Sequence, residues 1–211
     1  MISFDQFAQN IVPFTLKYEG YYANVSGDKG GETYRGISRV HNPGWSGWAT
    51  VDKLKPLKHN QNIPALEDNV IKFYWDNYFL PKGFQNLDRV PALALFDFAV
   101  NGGYSARKFK AAVIAKYKTV LSNSASISAD DGKALSNIDS LKLAMLVQDL
   151  RAGHFTQILA NNPSQAKFSS GWQSRLDSLN SELVSVIKRH PIRTAGILGL
   201  VVFAIVFFSQ P

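Results

Sequence analysis

The sequence predicts an α+β fold, mainly helical, with a small β-hairpin lobe directly after the first helix and one C-terminal transmembrane helix. Three observations carry that prediction. Apolar residues recur at steps of three and four along most of the chain, the pattern of amphipathic helices. Residues 20–38 are too rich in Gly, Asn, Asp and Ser for a helix, and they space Tyr and Val at short intervals, which reads as a hairpin or irregular lobe. At the far end, AGILGLVVFAIVFF (195–208) runs 14 residues without a polar side chain.

The elements follow in order. Ser3 and Gln6 form a capping-box pattern, continued by Phe4, Phe7, Ile11, Phe14 and Tyr18 on one helical face. Pro13 predicts a kink or break inside this helix, and Gly20 its stop, which leaves Glu19 in the last turn. HNPGWSGW (41–48) reads as a loop with two tryptophans. Pro64 opens a helix predicted to reach Phe79, where Pro81-Lys82-Gly83 stops it. Pro91 opens ALALFDFAV, closed by Asn101-Gly102-Gly103, and Ser105 caps ARKFKAAVIAKYKTVL. A polar break at 122–137, SNSASISADDGKALSN, reads as a linker or a short ordered loop. Asp139 caps SLKLAMLVQDLRAGHFTQIL, and a last helix around Gly171-Trp172 to Arg189 leads into the tail. The expected division is a folded domain at 1–185 and an anchor at 192–210.

Composition narrows the function. With 45% hydrophobic and 18% charged residues the chain is of globular type. Lys+Arg outnumber Asp+Glu by 23 to 16, a net charge of +7, and Lys188, Arg189 and Arg193 stand just before the apolar tail. Mild basicity suits an acidic polymer such as cell-wall glycan, and no dense Lys/Arg stripe with interleaved aromatics points to a nucleic-acid partner. There is no cysteine, hence no disulfide or thiolate chemistry. His41, His59, His154 and His190 lack metal-ligand spacing, so neither a metal nor a cofactor is expected. The N-terminus has no signal-peptide pattern. The apolar tail covers about 21 Å at about 1.5 Å per residue, and flanking residues extend it to a span in which Arg193 can snorkel. A buried strand or an interfacial segment is the competing reading. With its basic residues before the span, the positive-inside rule puts the folded domain on the cytoplasmic side.

The stretch KYEGYYANVSGDKGGETYRGIS (17–38) carries the chemistry. A glycosidic oxygen leaves only with a proton, so one carboxylic acid must stay protonated while another group stabilises charge or positions water. Glu19, flanked by Tyr18, Tyr21 and Tyr22, is the candidate acid. Asp28, between Gly27 and Gly30-Gly31, is the candidate ionised partner, and Thr33 shares the task of holding water. Spacing alone does not single out this pair, since a Glu and an Asp nine apart occur in most proteins.

The motif does more. EGYY followed by DKGGETYRGIS resembles the signature of glycoside hydrolase family 108, N-acetylmuramidases with the pattern E-G-G-Y, then D-x-G-G-x-T-x-x-G-I-[ST]. FYWDNYF (73–79) resembles the family's Tyr-Trp helix, ALFDFAVNGG (94–103) its A-x-x-x-F-D-x-x-V-N-x-G helix, and 151–179 its closing G-W-x-x-R segment. The resemblance implies a lysozyme-like domain, with about 95–180 corresponding to the family's helical peptidoglycan-binding part. It implies Glu19 as catalytic acid, with Asp28 and Thr33 in the Glu/Asp/Thr set. Two positions depart: Tyr21 stands for the second glycine of E-G-G-Y, and SADDGKALSNID keeps only Asp131-Gly132 of the D-G-x-x-G-x-x-T wall-binding motif.

The implied reaction is cleavage of the β-1,4 bond between N-acetylmuramic acid and N-acetylglucosamine, inverting or retaining, by a phage lytic enzyme. Peptidoglycan is its partner, and the membrane a second partner through the C-terminal helix. A virion membrane or the host inner membrane is the expected location. The alternative is a membrane-anchored, non-catalytic glycan-binding or structural virion protein. Tyr22, Tyr74, Asp97 and Asn101 are candidate substrate-binding residues, Asn101 being equally a helix C-cap. Trp45, Trp48 and Trp75 either stack on sugar rings or fill the core. Glu32 is a rival second carboxylate expected to face solvent, and Arg35 either orients Asp28 or is a surface charge.

Overall fold

A computed structural model describes residues 1–25 and 30–189. The chain divides into two compact units, Met1–Leu143 and a second that begins at Ala144. The fold is mainly helical with one small antiparallel sheet.

The first unit opens with α1 (Phe4–Asn10), whose N-terminus carries the predicted capping box: Ser3 Oγ accepts from the Gln6 amide, and the Gln6 side chain accepts from the Ser3 amide. The helix breaks at Ile11, and α2 (Val12–Leu16) restarts with Pro13 in its first turn, where a missing N–H costs nothing. It ends at Leu16, three residues before Glu19. Glu19 therefore lies in the turn that follows the helix, and Gly20 is not the stop; the amides of Lys17 and Tyr18 tighten the end by bonding to Phe14 and Thr15.

The lobe is a three-stranded meander rather than a single hairpin. Its strands β1 (Tyr22–Ala23), β2 (Thr33–Tyr34) and β3 (Ile37–Ser38) pair in chain order. Cross-strand partners Tyr22, Tyr34 and Ile37 form the buried face, while Ala23, Thr33 and Ser38 form the other. Behind the buried face, Tyr34 stacks on Trp45 at 6.2 Å, and Trp45 meets Trp48 edge-on at 5.0 Å. Both tryptophans are core residues of the lobe, and Trp48 opens α3 (Trp48–Lys53).

The predicted helix from Pro64 to Phe79 is three pieces. A 3₁₀ turn at Pro64–Leu66 leads into α4 (Glu67–Tyr74), which widens into a π turn at Trp75–Phe79. A further 3₁₀ turn (Leu80–Lys82) stops at Gly83. The π turn carries Trp75 and Phe79 into the main core, where Phe79 lies 4.6 Å from Phe7 and 5.9 Å from Phe96, with Phe7 5.1 Å from Phe96. Through the middle runs α5 (Arg89–Val100), buried from Pro91 to Ala99 on every side. An all-round apolar helix of this kind has to be wrapped by others.

Next, α6 (Ala106–Tyr117) stops four residues earlier than its pattern predicts, at Lys118 in the left-handed region. The serine-rich segment is an ordered loop, not a linker. It wraps the ammonium of Lys110, which bonds Ser122 O and Oγ, Ser124 O and Oγ, Ser126 O and, at 2.7 Å, Asp131 Oδ2. Asp131 also accepts from the amides of Ser122 and Ser128, and so caps α7 (Ala129–Leu135). A Cβ on its neighbour Gly132 would lie 2.2 Å from the Asn86 carbonyl oxygen. Asp131 and Gly132 are thus both taken up by local packing.

Asp139 Oδ1 accepts from the amides of Leu141 and Lys142 at the start of α8 (Ser140–Asn161). Within the second unit, α8 pairs antiparallel with α9 (Ser169–Arg189). Gln148 Nε2 donates to Leu176 O and Asn180 Oδ1, and Phe155 stacks on Trp172 at 4.9 Å. Among the described residues no helix is long and apolar enough to cross a membrane. The span expected at 192–210 lies outside them.

Candidate active site

Glu19 is held from three sides. Ahead of it, α2 is pinned to the central helix by Thr15, whose hydroxyl donates to Asp97 Oδ1 at 2.9 Å in the core. After it, the Tyr21 amide donates to Asn60 Oδ1 at 3.0 Å. From the lobe comes the two-residue turn joining β2 to β3. Arg35 (φ +50°) and Gly36 (φ +75°) are both in the left-handed region, as a type I′ hairpin demands.

That turn meets the carboxylate directly. A Cβ on Gly36 would lie 2.6 Å from Glu19 Oε2 and 2.7 Å from the Tyr74 hydroxyl oxygen, so only glycine lets the carboxylate and the phenol seat against the turn. Tyr74, at the end of α4, is buried and donates its hydroxyl to the Arg35 carbonyl at 2.8 Å. Arg35 in turn reaches back to the end of α2. Its Nη1 donates to the carbonyls of Leu16 at 3.0 Å and Glu19 at 3.3 Å, its Nη2 lies 3.6 Å from Glu67 Oε1, and its guanidinium covers the Tyr21 ring at 4.3 Å. Glu19, Tyr21, Arg35, Asn60 and Glu67 line a cleft of about 480 Å³, a volume within the range of small-ligand sites.

The predicted residues fall in different places. Thr33 stands on the outward face of β2, opposite Ala23 and Ser38. Asp28 lies outside the described residues. Tyr22 is buried and donates its hydroxyl to Glu32 Oε1 at 2.8 Å; burial and that carboxylate raise its pKa. Asp97 is fully buried behind α2, bonded to Thr15, and Asn101 caps α5 with its side-chain amide on the Asp97 carbonyl at 2.6 Å. Of the four proposed substrate-binding residues, Tyr74 alone stands beside the Glu19 carboxylate. Trp75 packs on Phe7 and Phe79.

Glu32 does not face solvent. Its side chain is only 10% exposed and accepts from Tyr22, from Arg39 at 2.6 Å and from Lys55, while Arg39 and Lys55 also bond Asp52. Burial would raise its pKa, but the bonds from Lys55, Arg39 and Tyr22 outweigh it and hold Glu32 below the ordinary value. It is a structural carboxylate that ties β2 to α3. Glu67 and the backward reach of Arg35 had no sequence motif to announce them. The one available hint was an arginine where a type I′ turn favours asparagine or glycine.

Glu19, in the turn after α2, presents a carboxyl group to the cleft, and a carboxyl group on a cleft is one of the two that cutting a glycosidic bond ordinarily requires. In keeping with it, residues 12–103 match the family model Glycosyl hydrolase 108, a stretch that takes in Glu19, the whole lobe, α4 and α5. The solved structure of Brucella abortus SagA is similar in fold, with a TM-score of 0.54, at 20% identity over 86% of this chain and 94% of that one. No curated protein matches the chain.

Proposed function

We propose that this protein is a peptidoglycan hydrolase that cleaves the β-1,4 bond between N-acetylmuramic acid and N-acetylglucosamine. The observation that carries the reading is the seat of Glu19: its carboxylate lies against the glycine of a strained turn, beside a buried phenol, on a cleft, inside the stretch that matches a glycoside hydrolase family. Glu19 acts as general acid and gives its proton to the leaving glycosidic oxygen. Asp28 and Thr33 hold or activate the water that attacks the anomeric carbon, or Asp28 attacks it directly. The first route inverts the anomeric centre and needs carboxyls about 6.5–9.5 Å apart; the second retains it and needs about 5–5.5 Å. The anomer first formed, read by NMR, separates the two. Net charge +7 favours an acidic wall polymer. The proposal extends to a phage lytic role, with the apolar tail at 192–210 as membrane anchor.

Glu19→Gln keeps the shape of the side chain and removes the acid. It is expected to abolish lysis of purified peptidoglycan, while the wild-type digest releases new muramic acid reducing ends. Near-normal lysis by this variant, or new reducing ends on glucosamine alone, overturns the assignment.

A further inference from the structure

We propose that Arg35 is a positioning residue for the general acid, setting the place of Glu19 through the backbone rather than touching substrate. The proposal rests on the reading of Glu19 as that acid.

The turn position itself argues for a purpose beyond the turn. The first central residue of a type I′ hairpin adopts positive φ, which asparagine and glycine do at little cost and arginine does not. Arg35 adopts it nonetheless, at φ +50°. It also leaves its Nε buried without a hydrogen-bond partner, a second cost. What offsets both is the reach of the guanidinium. Nη1 bonds the carbonyl of Leu16, the last residue of α2, where carbonyls lack helical partners, and that of Glu19 in the turn beyond it. A cation there also meets the negative end of the helix. Nη2 faces Glu67, and the flat face lies on Tyr21. The side chain is only 11% exposed, so it is occupied on most sides and offers little to a sugar. Its own carbonyl holds the Tyr74 hydroxyl, and its neighbour Gly36 seats the carboxylate. One residue therefore fixes the backbone of Glu19, the phenol beside it and the floor under it. Glu67, at the start of α4, steadies the guanidinium from across the cleft.

Arg35→Asn separates the two roles of the position, because asparagine suits the turn better and removes the guanidinium. With purified soluble peptidoglycan fragments, Arg35→Asn is expected to lose roughly 10- to 100-fold in kcat, the scale of a displaced catalytic group, with KM within about twofold. Arg35→Lys recovers part of the loss, since one ammonium replaces one of the carbonyl contacts. Millimolar guanidinium recovers part of the Arg35→Asn activity and none of the Glu19→Gln activity. Wild-type kcat in Arg35→Asn overturns the proposal. So does a raised KM at unchanged kcat, which would make Arg35 a substrate contact. A loss of kcat that tracks a collapse in Tm and is not rescued overturns it as well.

A readout free of turnover keeps the proposal distinct from the functional reading. The Glu19 carboxyl ¹³C resonance, assigned by its disappearance in Glu19→Gln, is expected to shift or broaden in Arg35→Asn and return in Arg35→Lys. An unchanged resonance refutes positioning even if the protein lyses walls. Failure of the wild type to lyse any wall refutes the function and leaves this measurement standing.

Discussion

Gly36→Ala is the sharpest test of how the site is built. The added methyl meets Glu19 Oε2 at 2.6 Å and the Tyr74 hydroxyl oxygen at 2.7 Å, whereas ordinary contact begins at 3.4 Å. The methyl crowds both groups, so the carboxylate and the phenol oxygen must each give way, by about 0.8 and 0.7 Å. Moving the end of a side chain is cheap. The main stability cost is alanine at φ +75°, about 1–2 kcal/mol, or a fall in Tm of a few degrees. Catalysis is far less forgiving: a displacement approaching 1 Å costs on the order of 100-fold. Wall lysis followed by turbidity, set beside Tm from circular dichroism, is therefore expected to show a large activity loss with a small stability loss. Gly36→Asn refines the measurement, because asparagine tolerates the backbone yet still carries a Cβ. It should regain part of the Tm and none of the activity. Wild-type turnover in either variant would refute the seat of Glu19 described above.

Other outcomes follow from the same contacts. Lys110→Met leaves Asp131 buried without its ammonium and is expected to cost about 3–5 kcal/mol in urea unfolding, the cost of breaking a buried pair. Burial opposes ionisation of Asp131, but the bonds from Lys110, Ser122 and Ser128 win and hold its pKa well below the ordinary 3.8. A carboxylate depressed in the folded state contributes stability above its unfolded pKa and loses it as pH falls through the folded value. Asp131→Asn should accordingly flatten the fall of Tm below about pH 4; an unchanged acid slope would count against the ion pair. Thr15→Val removes a buried donor to Asp97 and is expected to cost about 1–3 kcal/mol by the same unfolding assay. Glu32→Gln should destabilise the lobe, most visibly as faster proteolytic cleavage near β2, because Arg39 and Lys55 lose a charged acceptor.

The helices announced themselves through residues whose effect is local. Ser3, Ser105 and Asp139 cap what they were expected to cap, and Pro13 marks a real break, since capping and the missing proline N–H act within one turn. Where tertiary packing decides, sequence pattern misled. The π turn at Trp75–Phe79 exists because Phe7 and Phe96 receive those rings, and nothing in FYWDNYF encodes an extra residue in the turn. The serines of 122–128 are open to two readings, a linker or an ordered loop, because the partner that decides for the loop, Lys110, lies back on α6. The motif points to Glu19 and to the lobe; Glu19 lines a cleft, and the lobe is a small sheet. Glu32 and Tyr22 read as available groups because the hydrogen bond between them joins residues ten apart and is invisible along the chain. Arg35 reads either as orienting Asp28 or as a surface charge; its side chain is only 11% exposed, and its length carries it back to α2.

The serine-rich loop has a consequence of its own. Six oxygen ligands converge on the Lys110 nitrogen, the geometry by which a crown ether grips an ammonium ion. Here the guest is covalently attached to α6. It cannot be diluted away, exchanged for sodium or stripped by a chelator, and its local concentration is fixed by the chain. A chain with such a built-in guest keeps this corner folded in media whose ion content changes abruptly.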